Sequence, residues 1–177
     1  MAVVNTKSTA ITNRDATPPV MNDARVERAV LKSGVGSVAV GAADSINSYY
    51  PLVSVPSSAI VRGVLLTAVA GMTSLAGNVG VFKNTVNSGS TTTGVAANTG
   101  SNTFFGSATS LASALNRSDV TGANSYSTDK REQPLWQAIG LTADPNVIFD
   151  IGIQVTTANT GAAGRVGIQV DYVDNGA

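Results

Sequence analysis

The residues that carry most enzyme chemistry are sparse in this chain. Its 177 residues include no His and no Cys. That removes the imidazole base, the thiolate nucleophile, the disulfide and the metal sites built on those ligands. One tetrapeptide, Ser127-Thr128-Asp129-Lys130, has the S-x-x-K spacing of an acyl-transfer nucleophile and its base. Such a pair needs one face of a buried helix, where a desolvated amine can take the hydroxyl proton. Here it follows a polar run, and neither S-D-N nor K-T-G accompanies it. Two carboxylates could flank a glycosidic bond. However, Asp44, Asp119, Asp144 and Asp174 fall at turns or strand ends, where local backbone bonding accounts for them. Asp150 and Asp171 are expected on the polar faces of adjacent strands, pairing with Arg165 or facing water. No D-x-D-x-D-G calcium loop occurs, and the glycines of Gly34-Val35-Gly36-Ser37 do not continue as G-x-G-x-x-G before a helix. The expectation is a non-enzyme with no catalytic residue, no metal and no cofactor.

Composition narrows the partners. Lys+Arg 11 cancel Asp+Glu 11, and charged residues make up only 12% of the chain. The basic residues are scattered from Lys7 to Arg165 and form no stripe that would neutralise phosphates, so nucleic acid is not an expected partner. Arg62 interrupts the longest apolar stretch well short of the roughly 18 residues that suggest a membrane span. The first twenty residues lack the apolar stretch of a signal peptide. These readings predict a chain made in a cytoplasm with no membrane partner. At a pI of about 6.1 colloidal repulsion is weak, which points to an assembly.

The elements that must carry these residues are strands. Residues 1–24 are polar and aperiodic, with Pro18-Pro19, and read as an extended N-terminal arm. Residues 25–177 read as a single all-β domain, an antiparallel β-sandwich or barrel, because strand alternation recurs and helical periodicity is nearly absent. Val147, Phe149, Ile151, Ile153 and Val155 alternate with polar or small residues, as do Val166, Ile168, Val170 and Tyr172. These two strands are expected to form a hairpin across the Gly- and Asn-bearing loop between them. The segment from Ala59 to Ala70 reads as a central strand, with residues 77–83 as a short neighbour. Pro51 and Pro56 suggest a strand edge or end. Stretches 84–102 and 116–133 read as long surface loops. Leu135 and Trp136, with Ile139 and Leu141, read as an apolar cluster in the core or at an oligomer interface.

The order of these segments resembles the head decoration, or cement, proteins of tailed bacteriophages. The similar elements are the turn at 55–59 feeding a long apolar strand, the G-x-V-G-x-F run at 77–82, Thr103-Phe104-Phe105, and the closing strand at 170–173. This chain differs at Pro56-Ser57-Ser58, which lacks a glycine, and in a longer Ser- and Thr-rich loop at 84–102. The resemblance implies a jelly-roll fold and a homotrimer on the outer capsid surface of a virion, with the major capsid protein as partner. Arg14, Arg25 and Arg28 of the arm region are the candidate capsid contacts, and Leu135 and Trp136 the candidate oligomer interface. The alternative is a carbohydrate- or receptor-binding β-sandwich, such as an adhesin or tail-spike module, which would need exposed rings beside Asn and Asp. The facing assignment has a direct test. Ile151→Asp should abolish soluble expression, since burying an unpaired carboxylate costs several kcal/mol against a total stability of about 5–15 kcal/mol. Gln154→Asp should express normally, and equal damage from both would reverse the assignment.

Overall fold

Short apolar residues at every second position build eight strands in the computed structural model, which describes residues 7–21, 30–84, 86 and 94–174. They are β1 (Leu31–Val40), β2 (Tyr49–Pro56), β3 (Ile60–Ala68), β4 (Ala76–Lys83), β5 (Gly106–Ser110), β6 (Leu115–Asp119), β7 (Ile148–Thr157) and β8 (Gly164–Val173). One antiparallel sheet has the order β1-β8-β3-β6 and the other β2-β7-β4-β5. Eight strands interleaved in this way form a jelly-roll sandwich. The core lies between the sheets. Val64, Leu66, Val166, Ile168 and Val170 of the first sheet and Val79, Val81, Ile151, Ile153 and Val155 of the second are at most 1% exposed. Each such side chain contributes about 1.5–3 kcal/mol relative to an exposed one.

Strand faces agree with the sequence reading, but two pairings do not. β7 and β8 are interior strands of opposite sheets, so no hairpin joins them, and β4 likewise lies across the sandwich from β3. Alternation fixes which side of a strand is buried and leaves its neighbour open. The crossover after β7 is pinned by Asn159, whose Nδ2 donates to the Gly41 and Ala162 carbonyls at 2.9 Å each while its Oδ1 accepts from Gly161 N at 3.0 Å. Thr160 N and Ala162 N donate to the carbonyls of Thr73 and Gly71, both at 2.9 Å, which ties this crossover to the β3–β4 connection.

The stretches read as surface loops are partly structural. Within the first of them the chain pairs with β4: Lys83 N donates to Val95 O at 2.8 Å, Ala97 N donates to Val81 O at 3.1 Å, and Ala97 is buried. The second contains all of β6 but its first residue, and then Val120, Thr121 and Tyr126, three buried residues. The sequence signal was weak because one aromatic carries most of that burial. Tyr126 packs against Phe104 in a tilted contact and Phe105 edge-on, at centroid distances of 5.2 and 5.3 Å, and its hydroxyl donates to Val61 O at 2.5 Å. Within the stretch read as an extended arm, α1 (Thr9–Arg14) is a short helix. Ser8 caps it, its hydroxyl accepting from Ile11 N at 3.4 Å.

β1 and β2 close one side of the sandwich. β2 carries a register shift at Leu52, and a Cβ on Gly36 would collide with the Leu52 carbonyl, so only glycine lets the two backbones approach there. Tyr126→Phe isolates the aromatic anchor on the opposite side. It keeps the ring packing and leaves the Val61 carbonyl without its hydroxyl donor, which should cost about 1–3 kcal/mol in urea unfolding with an unchanged m-value.

Candidate interaction surface

The groups that resemble catalytic sets serve the fold. Ser127 caps a 3-10 turn (Thr128–Glu132), and its hydroxyl is the largest cause holding Asp129 below the usual carboxylate range. Lys130 lies over the Phe104 ring, 5.2 Å from its centroid, on a turn with no buried residue. The helix and the desolvated amine that S-x-x-K chemistry requires are therefore missing. Ser57 donates to Asp144 Oδ1 at 2.5 Å, a pairing that could suggest an activated hydroxyl. Yet Ser57 is 2% exposed, its oxygen also accepts from Val147 N at 3.2 Å, and the same Asp144 oxygen accepts from Asn146 N at 2.8 Å. The pair ties the turn after β2 to the entry of β7. Asp150 and Asp171 lie on the outward faces of different sheets, and neither pairs with Arg165. Asp150 accepts from Ser54 at 2.7 Å and Asn84 at 3.1 Å, and Asp171 from Ser33 at 2.7 Å and Gln169 at 3.0 Å. The described residues contain no cluster of three or more carboxylates that could hold a metal ion.

The residues singled out for contacts lie in separate places. Leu135 and Trp136 belong to α2 (Leu135–Ala138), whose backbone is hung on the turn before β3: Leu135 N donates to Ala59 O at 2.8 Å and Trp136 N to Ser57 O at 3.0 Å. Leu135 is 1% exposed and packs in the core of the sandwich. Trp136 is half-buried and is the member of the pair that reaches the surface. Arg14 ends α1, and nothing is described of its side chain. Arg25 and Arg28 lie outside the described residues.

Sequence reasoning missed a depression on the outer face of the β1-β8-β3-β6 sheet. Gly167 occupies an outward position of β8, directly between Ser37 of β1 and Thr67 of β3. A central strand without a side chain, flanked by two short ones, leaves a trough. Val35, Val69, Gln169, Arg117 and Arg165 wall a cavity of about 270 Å³ over it. Arg165 Nη1 donates to Ser37 Oγ at 3.1 Å. The polar-face glycine was visible in the alternation of β8. Arg117 gave no sequence signal, because it lies on a strand with no buried residue and reaches the trough from a backbone at φ 54°.

No protein-family model matches this chain, and no curated protein sequence does. Among solved structures, it is similar to a chain of the cyanophage Pam1 capsid asymmetric unit, at 23% identity and a TM-score of 0.49, over 88% of this chain and 98% of that one. That degree of likeness assigns no function.

Three carboxylates link this architecture to pH. Asp44 is held below its ordinary pKa first by the Tyr50 hydroxyl, at 2.6 Å, and then by Gly41 N, at 2.7 Å. Asp119 is lowered by the Thr121 hydroxyl and amide, and Asp171 by Ser33 and then Gln169. A carboxyl with a lower pKa in the folded than in the unfolded state contributes stability that is fully present above the unfolded pKa. That stability is lost as pH falls through the folded value. Urea midpoints should therefore hold near neutrality and drop from about pH 4 downward. Tyr50→Phe removes the main donor to Asp44, so it should lower the midpoint at about pH 6 and lose less on acidification. An acid loss equal to that of the unmodified protein would show that Asp44 is not a source of it.

Proposed function

We propose that the protein is a non-enzymatic virion structural protein that decorates and stabilises a bacteriophage capsid from its outer surface, as a homotrimer bound to the major capsid protein. One observation supports this reading: the segments that resemble cement proteins all lie on strands of one jelly roll or on the turns that lead into them. The 55–59 turn joins β2 to β3, the 77–82 run is β4, Thr103-Phe104-Phe105 leads into β5, and 170–173 closes β8. Fold alone hosts many functions, so the weight rests on those segments. The polar groups support it, since the carboxylates with shifted pKa values are hydrogen-bonded to Ser, Thr, Tyr, Gln or backbone partners. The carbohydrate-binding alternative required exposed rings. Tyr50, Phe82, Phe104, Phe105, Tyr126 and Phe149 are buried, and Tyr49, Trp136 and Tyr172 are half-buried, so no aromatic residue is fully exposed.

The mechanism is mass action. A folded body that binds only the assembled lattice lowers the lattice's free energy by RT ln(1 + [L]/Kd). Two packed sheets supply the rigid body, and the arm region with Arg14, Arg25 and Arg28 supplies the capsid contacts. Trp136 supplies the trimer contact, seated by the buried Leu135 beside it. Heads lacking the protein, mixed with the purified chain and sedimented, should take it up to a fixed, lattice-defined stoichiometry and resist heat better. Uptake that never saturates, or none, would overturn the decoration role. Trp136→Glu should convert a trimer to a monomer in analytical ultracentrifugation with the fold intact, and an unchanged mass would remove Trp136 from the interface.

A further inference from the structure

The outer depression of the first sheet has the features of a recognition site. Its floor is backbone, because Gly167 presents no side chain and its neighbours in the row, Ser37 and Thr67, are short. Its walls include apolar groups that line the same trough, Val35 at 77% exposure and Val69 at 45%. Among the described residues, neither Arg117 nor Arg165 forms an ion pair. Asp171 feels the charge of Arg117 but is already engaged by Ser33 and Gln169. Arg165 spends one donor on Ser37, which leaves four of the guanidinium's five. Arg165 N-terminal to Gly167 on β8, and Arg117 beyond Thr67 on β6, stand on two sides of the trough, with backbones roughly 12 Å apart by strand and residue spacing.

We propose that this depression is a docking site for an acidic segment of a partner polypeptide, one that seats an apolar side chain over Gly167 and places Asp or Glu carboxylates on Arg117 and Arg165. Charge complementarity selects the occupant. Two guanidiniums with open forks match carboxylates in a bidentate manner, and Arg beside an apolar anchor pocket is the composition of an interface centre. A segment bearing only an apolar group would leave both charges unpaired as it covered them, which is costly. A free inorganic anion would leave the valines exposed. The site goes beyond the capsid reading and stands without it, because it is formed by one protomer whatever that protomer decorates.

The test is amide NMR on the intact, isotope-labelled chain, titrated with the peptide acetyl-Ala-Asp-Leu-Glu-Ala-amide, its neutral counterpart acetyl-Ala-Asn-Leu-Gln-Ala-amide, hexanoate and inorganic phosphate. The acidic peptide should shift Val35, Thr67, Gly167 and Gln169 selectively and bind about tenfold or more tightly than the neutral one. Arg117→Gln combined with Arg165→Gln should erase that difference. Thr67→Leu, which fills the trough and keeps both charges, should abolish the shifts. Both variants should melt cooperatively, and either one alone decides the matter if the other fails to fold. Absence of shifts at about 5 mM acidic peptide, or equal binding of the neutral peptide, overturns the proposal. Hexanoate or phosphate binding as tightly as the acidic peptide would also overturn it, in favour of a small-anion site. Each result is independent of whether heads take up the protein.

Discussion

β6 pairs with β3 only between Leu65 and Ala68, so the backbone groups that precede Leu65 on that side must find partners elsewhere, at a place where Ile60, Val61 and Val64 are buried. Unsatisfied amides and carbonyls there would each cost about 1–3 kcal/mol. The segment that follows β6 supplies the partners one by one. Val120 N donates to Val64 O at 3.0 Å, Thr121 Oγ accepts from Val64 N at 2.7 Å, and the Tyr126 hydroxyl reaches Val61 O. Leu135 N and Trp136 N then take the carbonyls of Ala59 and Ser57. A stretch of mostly polar loop thus acts as the missing strand, and its route is dictated by β3.

Much else in the molecule follows from that route. Tyr126 is fixed by its hydrogen bond, so Phe104 and Phe105 pack around it, and burial pushes its phenol up to about 12. The electrostatic effect of Arg62 and Arg131 opposes that rise. Arg62 Nη1 donates to the Arg131 carbonyl at 3.1 Å, so an arginine in the middle of an apolar strand also helps to hold the loop. On the opposite side of the sandwich, the backbone approach of Gly36 to Leu52 does comparable work without polar side chains. Edge strands invite unwanted pairing. Here one side of the sandwich is covered by a loop and the other is narrowed by a glycine.

The same economy bears on function. Hydroxyls and carboxylates that could be mistaken for catalytic groups are spent joining turns to strands, as Ser57 with Asp144 and Tyr50 with Asp44 illustrate. The outward-facing features include Val35, Val69 and two arginines around a glycine floor on one sheet, and the half-buried Trp136 beside the β2–β3 turn.

The sequence by itself determined the strand class, the buried face of β7 and β8, the central character of β3 and the absence of His- or Cys-based chemistry, because a period of two and the residue inventory are local properties. It also exposed the glycine at 167. It did not determine that β7 and β8 lie in different sheets, that Leu135 is core while Trp136 reaches the surface, or that Tyr126 anchors a stretch that reads as loop. Nor did it bring Arg117 and Arg165 to one trough. Those outcomes depend on which strand neighbours which and on where unpaired backbone groups remain once the sheets close. Pairing energies are nearly independent of sequence identity along the ladder, so alternation alone does not choose a strand's neighbour, and that choice falls to packing between the two sheets and to the hydrogen-bond needs of β3, which exist only in the assembled fold.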